Sequence, residues 1–463
     1  MTVVLDTRDD FTLANFRRVC YGGEAVQLGE QARRALAAAG RVRTAPGEAG
    51  AASARAVPAA AAPAGSGSAG SGSAASGSGY LDEAVVRGIL FARLAGCVSG
   101  HTAVRLTAAE RVAALLGGPA PRVPSGGPAG PDEAAVMAAA LAGVRRDDLD
   151  EAERRALAEP APCPAALAAD TALRSRHRLE SAQAICALSI EAFGAPLGAY
   201  DAALDDLWGD AHEAAALRAL RRHLDGAGTD GRRFHQAPVS YRIIPRVLGQ
   251  AHRAVAAVEK AAATALRAVT GDVLLAGRVL PSGAFHNGMA YPAMNALSAA
   301  WADLALVAER QVTALNTAET SGLPLNLAVP GATPTGTYAY GWAASSYVEE
   351  ARAAAAPALL PAAAGDPRSD VLSPAFSAHR RERRAAECLD GVLAILVIVS
   401  SQALFVTGRS PAGPLRPLLS FARSVFPPID GTGVRDLSAD GRLLQQALAA
   451  AAVTGRLVPA PRP

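Results

Sequence analysis

The sequence predicts an all-α protein built from long, close-packed helices, and three observations carry that prediction. From Leu81 onward, Ala- and Leu-rich stretches with helical periodicity dominate. Ala165 to Phe193 and Val247 to Val269 each continue for more than twenty residues without an internal proline or a helix-breaking glycine cluster, which suits the central helices of a bundle. No alternating strand pattern of useful length appears. The alanine content favours helix formation and close helix–helix approach, and by itself it says nothing about function.

Taken in order, residues 3–45 read as a short strand or turn followed by helices, with Thr12 as N-cap before Leu13-Ala14-Asn15-Phe16. From Gly47 the composition changes to Ala, Pro, Gly and Ser, and a tract of that kind cannot bury enough apolar surface to order itself. The expected organisation is an N-terminal segment over 1–46, a flexible linker over 47–79, native or inserted, and a helical domain over 80–463. Asp132 and Glu133 stand where they would cap the helix that follows. The most apolar run, Val392 to Val406, carries Ser400, Ser401 and Gln402 and is short for a bilayer, so it reads as a buried core helix.

Composition narrows the function. A net charge of +3, with arginines interleaved among Asp and Glu, leaves no nucleic-acid footprint. Five scattered cysteines without Cys-x-x-Cys spacing argue against a disulfide framework and suit a reducing cytoplasm. The N-terminal residues lack the basic and apolar regions of a signal peptide, and no membrane association is expected. The eight histidines form no His-x-x-x-His or Cys/His cluster, so no metal is expected. Gly-x-Ser-x-Gly occurs only in the low-complexity tract, which gives no basis for a serine-nucleophile triad.

Several ordered segments carry a resemblance. Val85 to Gly100, with Arg87, Arg93, Ser99 and Gly100, leads to a loop running from Val123-Pro124 to Asp132. His235-Gln236-Ala237-Pro238-Val239-Ser240-Tyr241-Arg242, Gly277 to Gly288, Glu309-Arg310, Ser321-Gly322-Leu323-Pro324 and Val392-Leu393-Ala394-Ile395 with Gln402-Ala403 follow. Together they resemble the histidine and phenylalanine ammonia-lyase family between about Leu81 and Arg409. That resemblance implies a long-helix fold of the ammonia-lyase type and a homotetramer whose active sites are assembled from three chains. It also implies an electrophile, methylidene-imidazolone, made by cyclisation of an Ala-Ser-Gly triplet.

The departures fall on the family's functional positions. Anchored on Asp132, the triplet reads Ala129-Gly130-Pro131; Gly130 has no β-carbon to become the methylene, and Pro131 has no N–H to attack with. Anchored on Val123-Pro124, the loop is short and offers only Ser125-Gly126. The expected cofactor is therefore none. Val239, Ala237 and Ala284 replace the family's tyrosine, aspartate and asparagine. The interval of its catalytic tyrosine loop holds the 47–79 tract instead, with Tyr80 beyond it.

What remains or is new defines the candidate site. The resemblance puts Gln236, Arg242 and Phe285 at substrate-contacting positions, Arg242 being the group that meets a substrate carboxylate. Glu159 falls at an active-site asparagine position, and Asp370 lies near an active-site glutamate. Glu159, Asp370 and His286 are the candidate acid–base residues, and His101, close to the old electrophile, is a candidate substrate contact. Each has a plainer reading: Glu159 as a solvated loop acid, Arg242 as half of a structural ion pair, His286 and His101 as structural histidines. Two functions follow. One is a repurposed cyclase, lyase or isomerase of specialised metabolism, acting by proton transfer on a small anionic or carbonyl-bearing molecule. The other is a non-catalytic relative that binds a ligand or partner subunit.

Overall fold

The computed structural model describes residues 2–44, 79–126, 131–144, 148–232, 236–280, 282–283, 285–329, 331, 335–362, 370–431 and 441–448. The tract 47–78 and loop residues 127–130 fall outside that set. With them go the linker reading and most of the Ala129-Gly130-Pro131 triplet. The chain is mostly helical, as expected, and divides into two compact units, each drawn from two parts of the sequence: 1–166 with 266–286, and 167–265 with 287–463.

In the first unit, Thr2–Leu5 pairs in parallel with Ala25–Leu28. Thr12 caps the next turn by accepting from the Asn15 N–H at 3.1 Å, as its sequence context predicts. The Glu83–Val98 helix is buried on nearly every face. Gly88 makes that possible, because a β-carbon there would lie 2.6 Å from the Phe16 ring. Arg87 leaves the same helix to cap the C-terminus of the Leu106–Leu116 helix, donating to the carbonyls of Leu116 at 2.6 Å and Gly118 at 2.8 Å. Asp132 accepts from the Ala134 N–H at 2.8 Å and starts the Glu133–Ala140 helix, as expected.

Strands are present where no strand pattern was legible. Val273–Leu275 and Arg278–Leu280 form an antiparallel hairpin joined by Ala276 and Gly277, both at positive φ. A two-residue loop with that geometry matches the natural twist of paired strands. With three residues a side, the hairpin is too short to show alternation in the sequence.

The second unit has its core in three long helices, Ala290–Asn316, Tyr338–Ala354 and Ala375–Val406, packed on one another. The expected helices over 165–193 and 247–269 are found as Pro162–Phe193 and Ile244–Arg267. Pro162 sits at the start of its helix, where the missing N–H costs nothing. Ala375–Val406 is long and apolar enough to cross a membrane, but 83% of its apolar window is buried within the protein, in keeping with a core helix. Its polar side chains are paired inside: Trp301 Nε1 donates to Glu382 Oε1 at 2.9 Å, and His379 Nε2 lies 2.8 Å from Asp170 Oδ2. Arg178 makes a two-pronged contact with Asp390 at 2.8 Å through each nitrogen.

Candidate active site

Glu159 is fixed by its neighbours in sequence before anything else touches it. It ends the Glu151–Ala158 helix and precedes Pro160, whose ring disfavours the helical conformation for the residue before it. Glu159 accordingly adopts φ −65° and ψ 132°. The helix behind it is locked at its start, where Asp150 and Glu153 cap each other's backbone N–H groups. Glu153, fully buried, also binds Arg105 through Nε at 2.8 Å and Nη2 at 2.6 Å.

Two groups then hold Glu159. Arg93, from the Glu83–Val98 helix and only 3% exposed, donates through Nη2 to the Glu159 main-chain carbonyl. The Arg93 Nε is buried with no hydrogen-bond partner among the described residues. On the other side the carboxyl lies against Gly271, at φ +94°, so closely that a β-carbon there would overlap it, and it accepts from the Asp272 N–H. Burial pushes the Glu159 carboxyl up to about 7, with Arg93 opposing the shift and the Asp272 carboxylate adding to it. A carboxyl group that titrates there can both take and give a proton at neutral pH.

His101 attaches to the same segment. Its carbonyl accepts from the Leu274 N–H at 2.7 Å, and its Nδ1 lies 3.1 Å from the Leu274 carbonyl. A carbonyl can only accept, so Nδ1 carries the hydrogen, and in the neutral ring Nε2 is left as an acceptor. Further along, Ser282 Oγ donates to the Gly271 carbonyl at 2.7 Å, and Phe285 and His286 follow with ring centroids 4.8 Å apart. Phe285 is 36% exposed, an open wall rather than a buried one. Glu159 and His101 thus both meet the 271–275 segment.

The start of the loop singled out in the sequence is tied down. Pro124 and Tyr80 form an antiparallel bridge, with Leu81 N–H donating to Val123 at 2.8 Å and Ser125 N–H to Gly79 at 3.0 Å. Arg122 lies over the Tyr80 ring at 4.0 Å. The bridge holds the chain up to Ser125, and Gly126 follows at φ +71°.

Arg242, Gln236 and Asp370 belong to the second unit. Arg242 ends the short turn Val239–Arg242, which is clamped from below. Tyr241 stacks on Phe193 at 4.4 Å, Tyr200 Oη donates to the Tyr241 carbonyl at 2.8 Å, and Gln311 Nε2 donates to the Ser240 carbonyl at 3.1 Å. The Arg242 side chain is exposed and gives only its Nε to a neighbour, the Ala237 carbonyl at 3.1 Å. Among the described residues it has no carboxylate partner, so the ion-pair reading finds no support there. Val239, 56% exposed, borders an open apolar groove of about 380 Å³ with Ile243, Leu306 and Arg310. Gln236 and Asp370 are exposed, the latter beside the Ala362–Val371 bridge, and no ion pair joins Asp370 to Arg242.

Two residues that matter here were given no site role from the sequence. Arg93 was legible as a lone charge within the apolar stretch from Ile89 to Val98. Gly271 was not, since only the fold shows what it faces. Among the described residues no group of His, Cys, Asp and Glu side chains is arranged to hold a metal.

Residues 130–423 match the family model described as aromatic amino acid lyase. The chain is 29% identical over 405 residues to histidine ammonia-lyase of Geobacillus thermodenitrificans, covering 79% of this chain and 80% of that one. It is 28% identical over 390 residues to the histidine ammonia-lyase of Symbiobacterium thermophilum, covering 76% of each. Among solved structures, histidine ammonia-lyase from Trypanosoma cruzi superposes with a TM-score of 0.78 at 18% identity, over 99% of this chain and 96% of that one. Ergothionase from Treponema denticola gives 0.78 at 13% identity, over 97% and 99%. Tyrosine aminomutase from Streptomyces globisporus gives 0.75 at 19%, over 98% and 99%. The structural likeness carries the fold, and the sequence match carries the family: this chain belongs to the aromatic amino acid lyases.

Proposed function

We propose that the protein is an ammonia-lyase-like enzyme that works without methylidene-imidazolone, a repurposed lyase, isomerase or cyclase of specialised metabolism in which Glu159 moves the proton. The observation that carries this reading is the Glu159 carboxyl itself. It is anchored through its main chain by Arg93, seated on Gly271, hydrogen-bonded by the Asp272 N–H and raised to about 7 by burial. A solvated loop acid has none of these features. As carboxylate it accepts a proton from a carbon made acidic by an adjacent carbonyl; as carboxylic acid it returns one to the rearranged substrate.

Within the second unit, and taken by itself, Arg242 has terminal nitrogens with no protein carboxylate among the described residues, which suit a small carboxylate or carbonyl group. His101, with Nε2 as acceptor, is a further polar contact for substrate. No step passes through an imidazolone, because Gly130 and Pro131 lack the atoms that make it. The resemblance to the tetrameric lyases makes a homotetramer the working assembly. Solvent-deuterium incorporation into 2-oxo carboxylates, compared between the parent and Glu159→Gln, tests the proposal.

The second reading, a non-catalytic relative that binds a ligand or partner subunit, draws on the exposure of Asp370, Gln236 and Phe285. Groups intended for chemistry are usually enclosed. Under that reading the protein binds 2-oxo carboxylates without exchanging their protons.

A further inference from the structure

We infer that the Gly271–Asp272 turn is the positioning element of the Glu159 acid. Gly271 leaves the space in which the carboxyl sits, and Asp272 fixes it there through its main-chain N–H and faces it with a second carboxylate. The inference rests on Glu159 being the proton-transferring group, but its test reads the carboxyl itself and needs no turnover.

The geometry is specific to this pair. Gly271 is buried and at φ +94°, a conformation open to glycine and strained for residues with a side chain. A β-carbon at that position would overlap Oε1, Oε2 and Cδ of Glu159. The turn is also held without help from Glu159: Ser282 Oγ closes on the Gly271 carbonyl at 2.7 Å, and the Ser282 N–H reaches Asp272 Oδ1 at 3.4 Å. Arg93 fixes the Glu159 main chain from the Glu83–Val98 helix, so its backbone and its carboxyl are set by separate elements.

The charged groups that face the carboxyl are Arg93 and Asp272, opposite in sign. Cys97 and Cys163 flank Arg93; burial pushes the Cys97 thiol up to about 11 and raises Cys163 well above its usual value, so both stay neutral near pH 7. Arg93 and Asp272 are therefore what tunes the acid once burial has raised it. Gly271 and Asp272 act through Glu159 and are positioning residues.

The experiment is an infrared pH titration of the full-length protein. The difference spectrum against Glu159→Gln isolates one carboxyl band. The parent band should titrate with its midpoint near 7. Gly271→Ala expels the carboxyl from its seat, and the midpoint should fall toward the ordinary 4.5. Asp272→Asn, on an exposed side chain, keeps the main-chain N–H and removes a like charge, so it should lower the midpoint by about half a unit. If Gly271→Ala fails to fold, as circular dichroism would show, Asp272→Asn decides alone. A folded Gly271→Ala that titrates with the parent overturns the inference, as does an unmoved midpoint in Asp272→Asn or a parent midpoint at 4.5. Retained activity in Glu159→Gln would instead sink the catalytic reading and leave these titrations standing.

Discussion

Arg242 gives its Nε to the main-chain carbonyl of Ala237 at 3.1 Å, at a position where the resemblance to the ammonia-lyases leads one to expect an aspartate. Alanine offers the guanidinium a carbonyl and nothing more, so the planar pair of terminal nitrogens is left for a ligand. Arg242→Lys keeps the charge and loses the fork. Affinity for 2-oxo carboxylates, measured by calorimetry, should fall about ten- to a hundred-fold, the usual worth of a charge-assisted two-pronged contact. The melting temperature should hold, because the exposed side chain makes one hydrogen bond to its own loop. An Arg242→Lys protein that unfolds would mean the residue is structural.

A second prediction concerns the loop from Val123 to Asp132. Intact-mass spectrometry should return the mass of the unmodified chain. A deficit equal to the water lost on forming an imidazolone would contradict the argument from Gly130 and Pro131.

These two loops mark how far the sequence could be read. The long helices were legible because their apolar period and lack of breakers extend over many turns, and the Pro162–Phe193 and Ile244–Arg267 helices lie within a few residues of expectation. Thr12 and Asp132 were legible because capping depends on neighbours in the chain. The 273–280 hairpin was hidden by its brevity, and with it the partner of His101. Glu159 was found by register, but its environment was not, because Arg93 and Gly271 are remote in sequence and meet it only through the fold. Asp370 and Gln236 followed from register as well, and the structure leaves both exposed.

A third prediction concerns assembly. Trp342 is 68% exposed, with the Tyr338 ring tilted against it at 5.2 Å, and Val239 and Leu359 are exposed as well. The tetramer is expected from the resemblance to the ammonia-lyases, and exposed aromatic side chains of this kind are suited to burial between subunits. Light scattering should report a tetramer, and a clean monomer would contradict the assembly inferred from the family.

A fourth prediction concerns acid stability. Burial pushes His223 and His252 down to about 4 from an ordinary 6.5, so the folded protein holds both rings neutral. Their contribution is fully present above pH 6.5 and is lost as the pH falls toward 4. The melting temperature should decline across that window, and His252→Gln should shrink the decline. Glu159 has the opposite sign: its carboxyl is raised, so its contribution is greatest below 4.5 and is lost as the pH rises through 7. An unchanged acid profile in His252→Gln would show that its ring is not held neutral by burial.

The central claim is that Glu159 transfers a proton, and the most direct measurement is solvent-deuterium exchange into a panel of 2-oxo carboxylates and aromatic α-amino acids, followed by mass spectrometry in parallel with binding. The parent should accelerate exchange on at least one compound that it binds. Glu159→Gln, which keeps the size and polarity of the side chain but cannot cycle a proton, should bind that compound within about two-fold of the parent and lose the exchange by a factor of a hundred or more. A parent that binds but never exchanges, or a Glu159→Gln protein that exchanges as fast as the parent, would contradict the account and leave the protein a binding relative of the aromatic amino acid lyases.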